Sequence, residues 1–224
     1  MSQNTAKYIV HSYSDREEKI NVISHFVGLL MSVVGLVLLI VKAIHLNDIW
    51  VWVSFPVFGL SMITLYLAST LYHHSTNPKI RYRLNIFDHA SIYVLIAGSY
   101  TPFVLITLKG TEGWTIFSIV WSVALIGIIF KIFFTGRFNY LSTILYVAMG
   151  WLIVFSFGSL VKNLDFGGLV WLFAGGIAYT VGAIFFSIDQ LKFNHAIFHF
   201  FVLAGTFCHF VSVYFYVAPA SILS

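Results

Sequence analysis

Charge is what this sequence has least of. Asp, Glu, Lys and Arg make up 9% of its 224 residues, against about 25% in an ordinary soluble domain. That is too little to hold a chain that is 59% hydrophobic in water, so a soluble enzyme is excluded and an integral membrane protein is indicated. Cysteine is limited to Cys208, inside an apolar run, which rules out an intramolecular disulfide and fits a packed thiol. Of the four prolines, Pro56 and Pro102 fall within apolar runs, where a kink is tolerated if neighbours satisfy the freed carbonyl. No basic cluster with interleaved aromatics occurs, so the net charge of +4 gives no reason to expect nucleic acid. There is no phosphate-cradling glycine loop, internal repeat or low-complexity segment, and no stretch long enough for a separate soluble domain. Asp15, Glu17 and Glu18 precede the first apolar run without a small-residue cleavage site, so a removable signal peptide is not expected.

What the sequence does have is continuous apolar runs. A spanning helix needs about 20 such residues, and the template fits at 20–43, 49–73, 85–108, 114–134, 138–161, 166–188 and 195–218. Short polar breaks such as His45-Leu46-Asn47-Asp48 and Asn77-Pro78-Lys79 make neighbours antiparallel. The expected fold is an all-α seven-helix transmembrane bundle over 20–218, between an N-terminal segment 1–19 and a tail 219–224. Small-residue clusters such as Ala174-Gly175-Gly176 permit close helix approach. Lys7, Arg16, Lys19, Lys79, Arg81, Arg83, Lys131, Arg137 and Lys192 lie on the N-terminal side, and Lys42, Lys109 and Lys162 on the other. By the positive-inside rule the N-terminal segment is cytoplasmic and the tail extracytoplasmic.

That topology places the polar residues by depth. Asn21 and His25 open the first span, Ser69 and His73 close the second, Asp88 and His89 open the third, and His195 and His199 open the seventh. All fall in the cytoplasmic half, where ionisable groups are costly and seldom idle. His195 and His199, four apart, share one helix face and read either as zinc ligands or as imidazoles bonded between helices. His73 is the natural third ligand, because three protein ligands plus water make an open zinc site. His74 beside it reads as interfacial. Ser69, one turn earlier, either orients the site or bonds back to its own helix. Asp88 needs a cationic or hydrogen-bonding partner: a zinc-bound water, or Arg81 or Arg83 in an ion pair. Glu18, Asn21 and His25 follow helical spacing and are expected to support the ligands or to bridge helices. His209, ten residues or about 15 Å beyond His199, is too far to share the metal.

Glu18-x2-Asn21-x3-His25, Ser69-x3-His73, Phe87-Asp88-His89 with Gly98-Ser99-Tyr100-Thr101-Pro102-Phe103, and Asn194-His195-x3-His199 occur in order. Together they resemble the hemolysin III branch of the progestin and adipoQ receptor family, over essentially the whole chain. The resemblance implies a cytoplasmic N-terminus, zinc held by His73, His195 and His199, Asp88 acting through water, and Ser69 as the motif serine. The wider superfamily includes alkaline ceramidases and adiponectin receptors, whereas bacterial members carry the hemolysin name and are linked to membrane homeostasis. The short N-terminal segment gives no basis for carrying over a protein hormone.

Three functions are therefore in play: a zinc-dependent intramembrane hydrolase of lipid amides with Asp88 and Ser69 catalytic, a zinc-stabilised regulator of membrane homeostasis, and a hemolysin-type pore former. Continuous apolar helices without a polar stripe weigh against the pore. Membrane lipids are the expected partners, and a bacterial inner (plasma) membrane the expected location.

Overall fold

The computed structural model describes residues 13–135 and 138–218. The first twelve residues, Lys7 and His11 among them, the tail 219–224 and the loop residue Arg137 lie outside the described residues. The fold is all-helical, with seven helices long and apolar enough to cross a membrane. In chain order these are α1 (Asp15–Leu46), α2 (Ile49–His74), α3 (Pro78–Pro102), α4 (Gly110–Phe134), α5 (Asn139–Gly150) with α6 (Phe157–Asn163), α7 (Phe166–Phe186) and α8 (Asn194–Ser212). Two wider π-helical turns, Phe103–Leu108 and Val213–Val217, extend α3 and α8.

Helix ends follow their caps. The Ser14 side chain accepts from Glu17 N, Asp48 accepts from Trp50 N and Val51 N, and Asn77 accepts from Lys79 N and Ile80 N ahead of Pro78 in the first turn. These caps lie outside the apolar runs, so α1 and α3 begin several residues earlier than the expected spans at 20 and 85. Hydropathy detects the part of a helix in hydrocarbon and misses its polar first turns.

The fifth span departs from the expected continuous helix at 138–161. It breaks into α5, a 3-10 turn at Leu152–Ser156 and α6. Tyr100 of α3 explains the break: its hydroxyl accepts from Ile153 N at 2.9 Å and donates to Gly150 O at 2.7 Å. A side chain inserted into the backbone ladder takes over bonds that would have continued the helix.

α3 is the central helix, with 83% of its most apolar window buried, whereas α1, α4, α5–α6 and α7 bury 22–28% of theirs. α2 packs between α1 and α3, α7 pairs with α8, and α8 returns to α1. Glycine permits two of these close approaches: a Cβ at Gly98 would overlap Ser61 of α2, and one at Gly175 would overlap the His209 ring. Outward-facing Phe155, Phe166 and Phe133, exposed by 89, 80 and 73%, would be a liability in water but meet acyl chains in a bilayer. Lys131 is the exception among the presumed topology signals, being fully buried near the end of α4. The positive-side count on the N-terminal side then falls from nine to eight, still against three.

Candidate metal centre

The end of α2 and the beginning of α8 meet beside the beginning of α1. Among the described residues, His73, His195 and His199 present ligand atoms that all lie within 4.8 Å of one another, and all three residues are buried. His73 Nε2 stands 3.0 Å from His195 Nε2. A tetrahedral zinc with Zn–N of about 2.05 Å needs donors about 3.3 Å apart; the His73–His195 pair is within a few tenths of an ångström of that spacing, and the cluster as a whole, within 4.8 Å, would close in around an ion.

The outer nitrogens decide the orientation. His73 Nδ1 meets Glu18 Oε2 at 2.7 Å, His195 Nδ1 meets the Tyr13 hydroxyl at 2.9 Å, and His199 Nδ1 meets Ser24 Oγ at 3.4 Å. Each imidazole can thus donate Nδ1–H outward to an oxygen and leave its Nε2 lone pair for the common centre. That division of roles is how metal-binding histidines are held in the correct tautomer. Glu18 is itself fixed by Arg81, whose guanidinium donates to Oε1 and also to the carbonyls of Tyr72 and Ser75. The Arg81 guanidinium lies over the Tyr72 ring at 4.6 Å.

α1 supplies most of this outer layer. Glu18 and Asn21 lie one helical turn apart, and the Asn21 amide nitrogen is 3.4 Å from His73 Nδ1. His25, one turn further, stacks on His199 with ring centroids 3.5 Å apart, and neither of its ring nitrogens has a hydrogen-bond partner. It is an inter-helix contact packed on His199 rather than a fourth member of the cluster. Tyr13 and Ser24 were not anticipated from sequence. Burial, with Tyr72, Glu17, Asp88 and Glu18 nearby, pushes the Tyr13 phenol far above its ordinary range and keeps its proton in place.

Asp88 lies outside the histidine cluster but close enough for its field to be felt at His73 and Tyr13. No ion pair joins it to Arg81 or Arg83; Arg81 is engaged by Glu18, and His89 Nδ1, which bonds Asn85 O at 2.9 Å, lies 3.9 Å from Asp88 Oδ2. Ser69 lies buried beside Asp88 and, unlike Ser61 or Thr70, does not bond back to its own helix. Asp88, Ser69, His195 and His199 all border one internal cavity of about 140 Å³. From there the cavity runs into the bundle past Ile92, Ile96, Phe103 and Leu172 to His209, which bonds to Leu172 O at 3.2 Å. His209 is a packing and hydrogen-bonding residue remote from the cluster.

The haemolysin-III-related family model matches residues 13–210. The chain belongs to the haemolysin-III-related family. It is 49% identical to hemolysin-3 of Bacillus cereus over 206 residues, covering 92% of this chain and 94% of that protein. It is also 49% identical to a hemolysin-3 homolog of Bacillus subtilis (strain 168) over 212 residues, covering 95% and 100%. A more distant similarity, 27% over 188 residues, reaches the human monocyte to macrophage differentiation factor, covering 79% of this chain and 76% of that protein. With seven apolar helices, this haemolysin-III-related chain is a multi-pass integral membrane protein. The matched region includes every residue of the cluster and its outer layer, from Tyr13 to His199.

Proposed function

We propose that the protein is a zinc-dependent intramembrane hydrolase of lipid amides in the bacterial plasma membrane. The observation that carries this reading is the arrangement of the three histidines: their ligand atoms lie within 4.8 Å of one another and the Nδ1 of each meets an outer oxygen, beside a cavity that also holds a buried carboxylate. Three imidazoles suit zinc and leave its full positive charge available. Bound there, zinc would polarise a carbonyl and acidify a water.

The chain's own residues would do the rest. The apolar walls at Ile92, Ile96 and Phe103 hold an acyl chain so that its amide carbonyl reaches the histidines. Asp88 accepts the proton released as water adds to the carbonyl carbon, and returns it to the nitrogen as the C–N bond breaks. The products are a fatty acid and an amine. The hydroxyl of Ser69, beside Asp88 and without a bond to its own helix, is available to position the water or the carbonyl oxygen.

A second reading, a zinc-braced regulator of membrane homeostasis, is favoured by one specific observation. The cluster and its outer layer join α1, α2 and α8, so a metal there would pin three helices whether or not it turned over substrate. A pore is poorly supported, because the cavity wall away from the cluster is mainly apolar.

Asp88→Asn separates catalyst from brace. Wild type, Asp88→Asn and metal-stripped protein are incubated with ceramide and other N-acyl lipids, and released fatty acid is followed by mass spectrometry. Hydrolysis predicts product from wild type alone, with zinc retained in Asp88→Asn. Equal product from all three, or none from any, would remove the hydrolase and leave the brace.

A further inference from the structure

Glu17 is the buried carboxylate beside the metal centre that the outer layer leaves unused. It is 8% exposed, its Oε1 has no hydrogen-bond partner, and no ion pair reaches it among the described residues. The adjacent Glu18 differs on both counts, being tied to His73 and to Arg81. Helix capping does not account for Glu17. Ser14-x2-Glu17 has the spacing of a capping box, in which the acid also bonds the Ser14 N–H; Ser14 Oγ accepts from Glu17 N, but Glu17 Oε1 accepts nothing in return.

Helical spacing places this carboxylate relative to the histidines. Glu17, Asn21 and Ser24 are buried positions at i, i+4 and i+7 of α1, and the latter two meet His73 Nδ1 and His199 Nδ1 at 3.4 Å. Glu17 is therefore the next group on the stripe that faces the cluster, one turn or about 6 Å nearer the membrane surface at which α1 begins. Tyr13 covers the cluster on that same side, its ring 4.6 Å from the His195 ring and 5.9 Å from the His73 ring. None of the three histidines is more than 5% exposed, so an ion cannot pass from water to all three in one step. The opposite approach runs through the mainly apolar cavity, where a divalent ion would lose its hydration without compensation. An ion bound for the histidines must come past Tyr13, and Glu17 is the unengaged anionic oxygen on that path.

We propose that Glu17 is the transfer ligand through which zinc enters and leaves the three-histidine centre, with Tyr13 as the cover that moves aside. This rests on zinc occupancy of that centre and not on hydrolysis. A carboxylate oxygen is an ordinary zinc donor; Glu17 takes the ion as it sheds water and yields it to three imidazoles, which together hold it more tightly. Because the carboxylate binds the ion in neither end state, it speeds loading and release by the same factor and leaves the affinity unchanged. That equality separates Glu17 from Glu18, whose bond to His73 supports the affinity itself.

The test uses the purified full chain in a neutral detergent, with zinc alone as the probe. Stopped-flow mixing with a fluorescent zinc indicator gives the loading rate of stripped protein, and excess chelator gives the release rate of loaded protein. Glu17→Gln should slow both by about tenfold or more, of the order that a charge in a cleft contributes to an on-rate. Its Kd, from equilibrium competition, should stay within about twofold of wild type. Glu17→Asp, which keeps the charge, should restore both rates to within about threefold. Glu17→Ala should behave as Glu17→Gln does, and carries the test if that variant fails to fold. Wild-type rates in either variant, at one zinc per chain, would overturn the transfer role and leave the metal centre standing. So would slower loading with unchanged release, which is attraction by charge alone, or faster release with unchanged loading, which makes Glu17 a supporting contact. Wild type that takes up no zinc would overturn the centre and the transfer role together.

Discussion

Glu18→Gln is the substitution that most directly tests how the metal centre is held. Glu18 lies between His73 Nδ1, at 2.7 Å, and the Arg81 guanidinium. Glutamine keeps the length and one acceptor oxygen but removes the charge that makes the His73 imidazole a stronger donor toward the metal. It also leaves Arg81 facing a neutral amide. Loss of such a supporting carboxylate costs about 10- to 100-fold in metal affinity, or about 1.4–2.7 kcal/mol. Because zinc bound at this centre would favour the folded state, the same factor would reduce ligand-linked stabilisation by about 1.4 kcal/mol per tenfold loss when metal is limiting. Competition against a chelator of known affinity measures the change. Elemental analysis at excess zinc should still find one metal per chain, since all three ligands remain. Affinity unchanged within about twofold, while His73→Ala abolishes binding, would show that Glu18 serves only to anchor Arg81 and would refute the linkage argued here.

Two further outcomes are expected. His195→Ala should abolish stoichiometric zinc and lower thermal stability, because metal binding and folding are linked; full metal content in the variant by elemental analysis would place the metal elsewhere. Reporter fusions should find the N-terminus in the cytoplasm and the C-terminus outside, given the eight-to-three basic asymmetry that remains after Lys131 is set aside. An external N-terminus would move the histidine cluster to the outer half of the membrane.

The histidine cluster could be read from the sequence because two independent constraints coincide in it. Helical spacing puts His195 and His199 on one face, and span depth brings His73 to the same level. Glu18, Asn21 and His25 follow the same three-and-four rhythm, but the roles differ: Glu18 bonds His73, whereas His25 stacks on His199. Ser24 was within reach of that rhythm, three residues after Asn21, yet a single serine on an apolar helix gives no contrast with one that bonds its own backbone. Tyr13 could not be read at all, because it lies before α1 and its contact with His195 spans 182 positions. The break in the fifth span was hidden for a similar reason, since it depends on a hydroxyl donated from α3.

Lys131 shows where the positive-inside count loses information. Counting assigns every lysine within a turn of a span's end to the interface, and Lys131 sits three residues before the end of α4. Whether such a residue snorkels outward or turns inward depends on which face of α4 meets α3, and that is set by packing. Gly127, one turn earlier, meets the Tyr93 ring of α3 so closely that a Cβ would overlap it. This contact turns the 127–131 face of α4 toward α3 and carries the ammonium into the bundle. Burial of Lys131 is therefore a consequence of the glycine: a bulkier residue at Gly127 would push α4 off Tyr93 and change the depth of the ammonium.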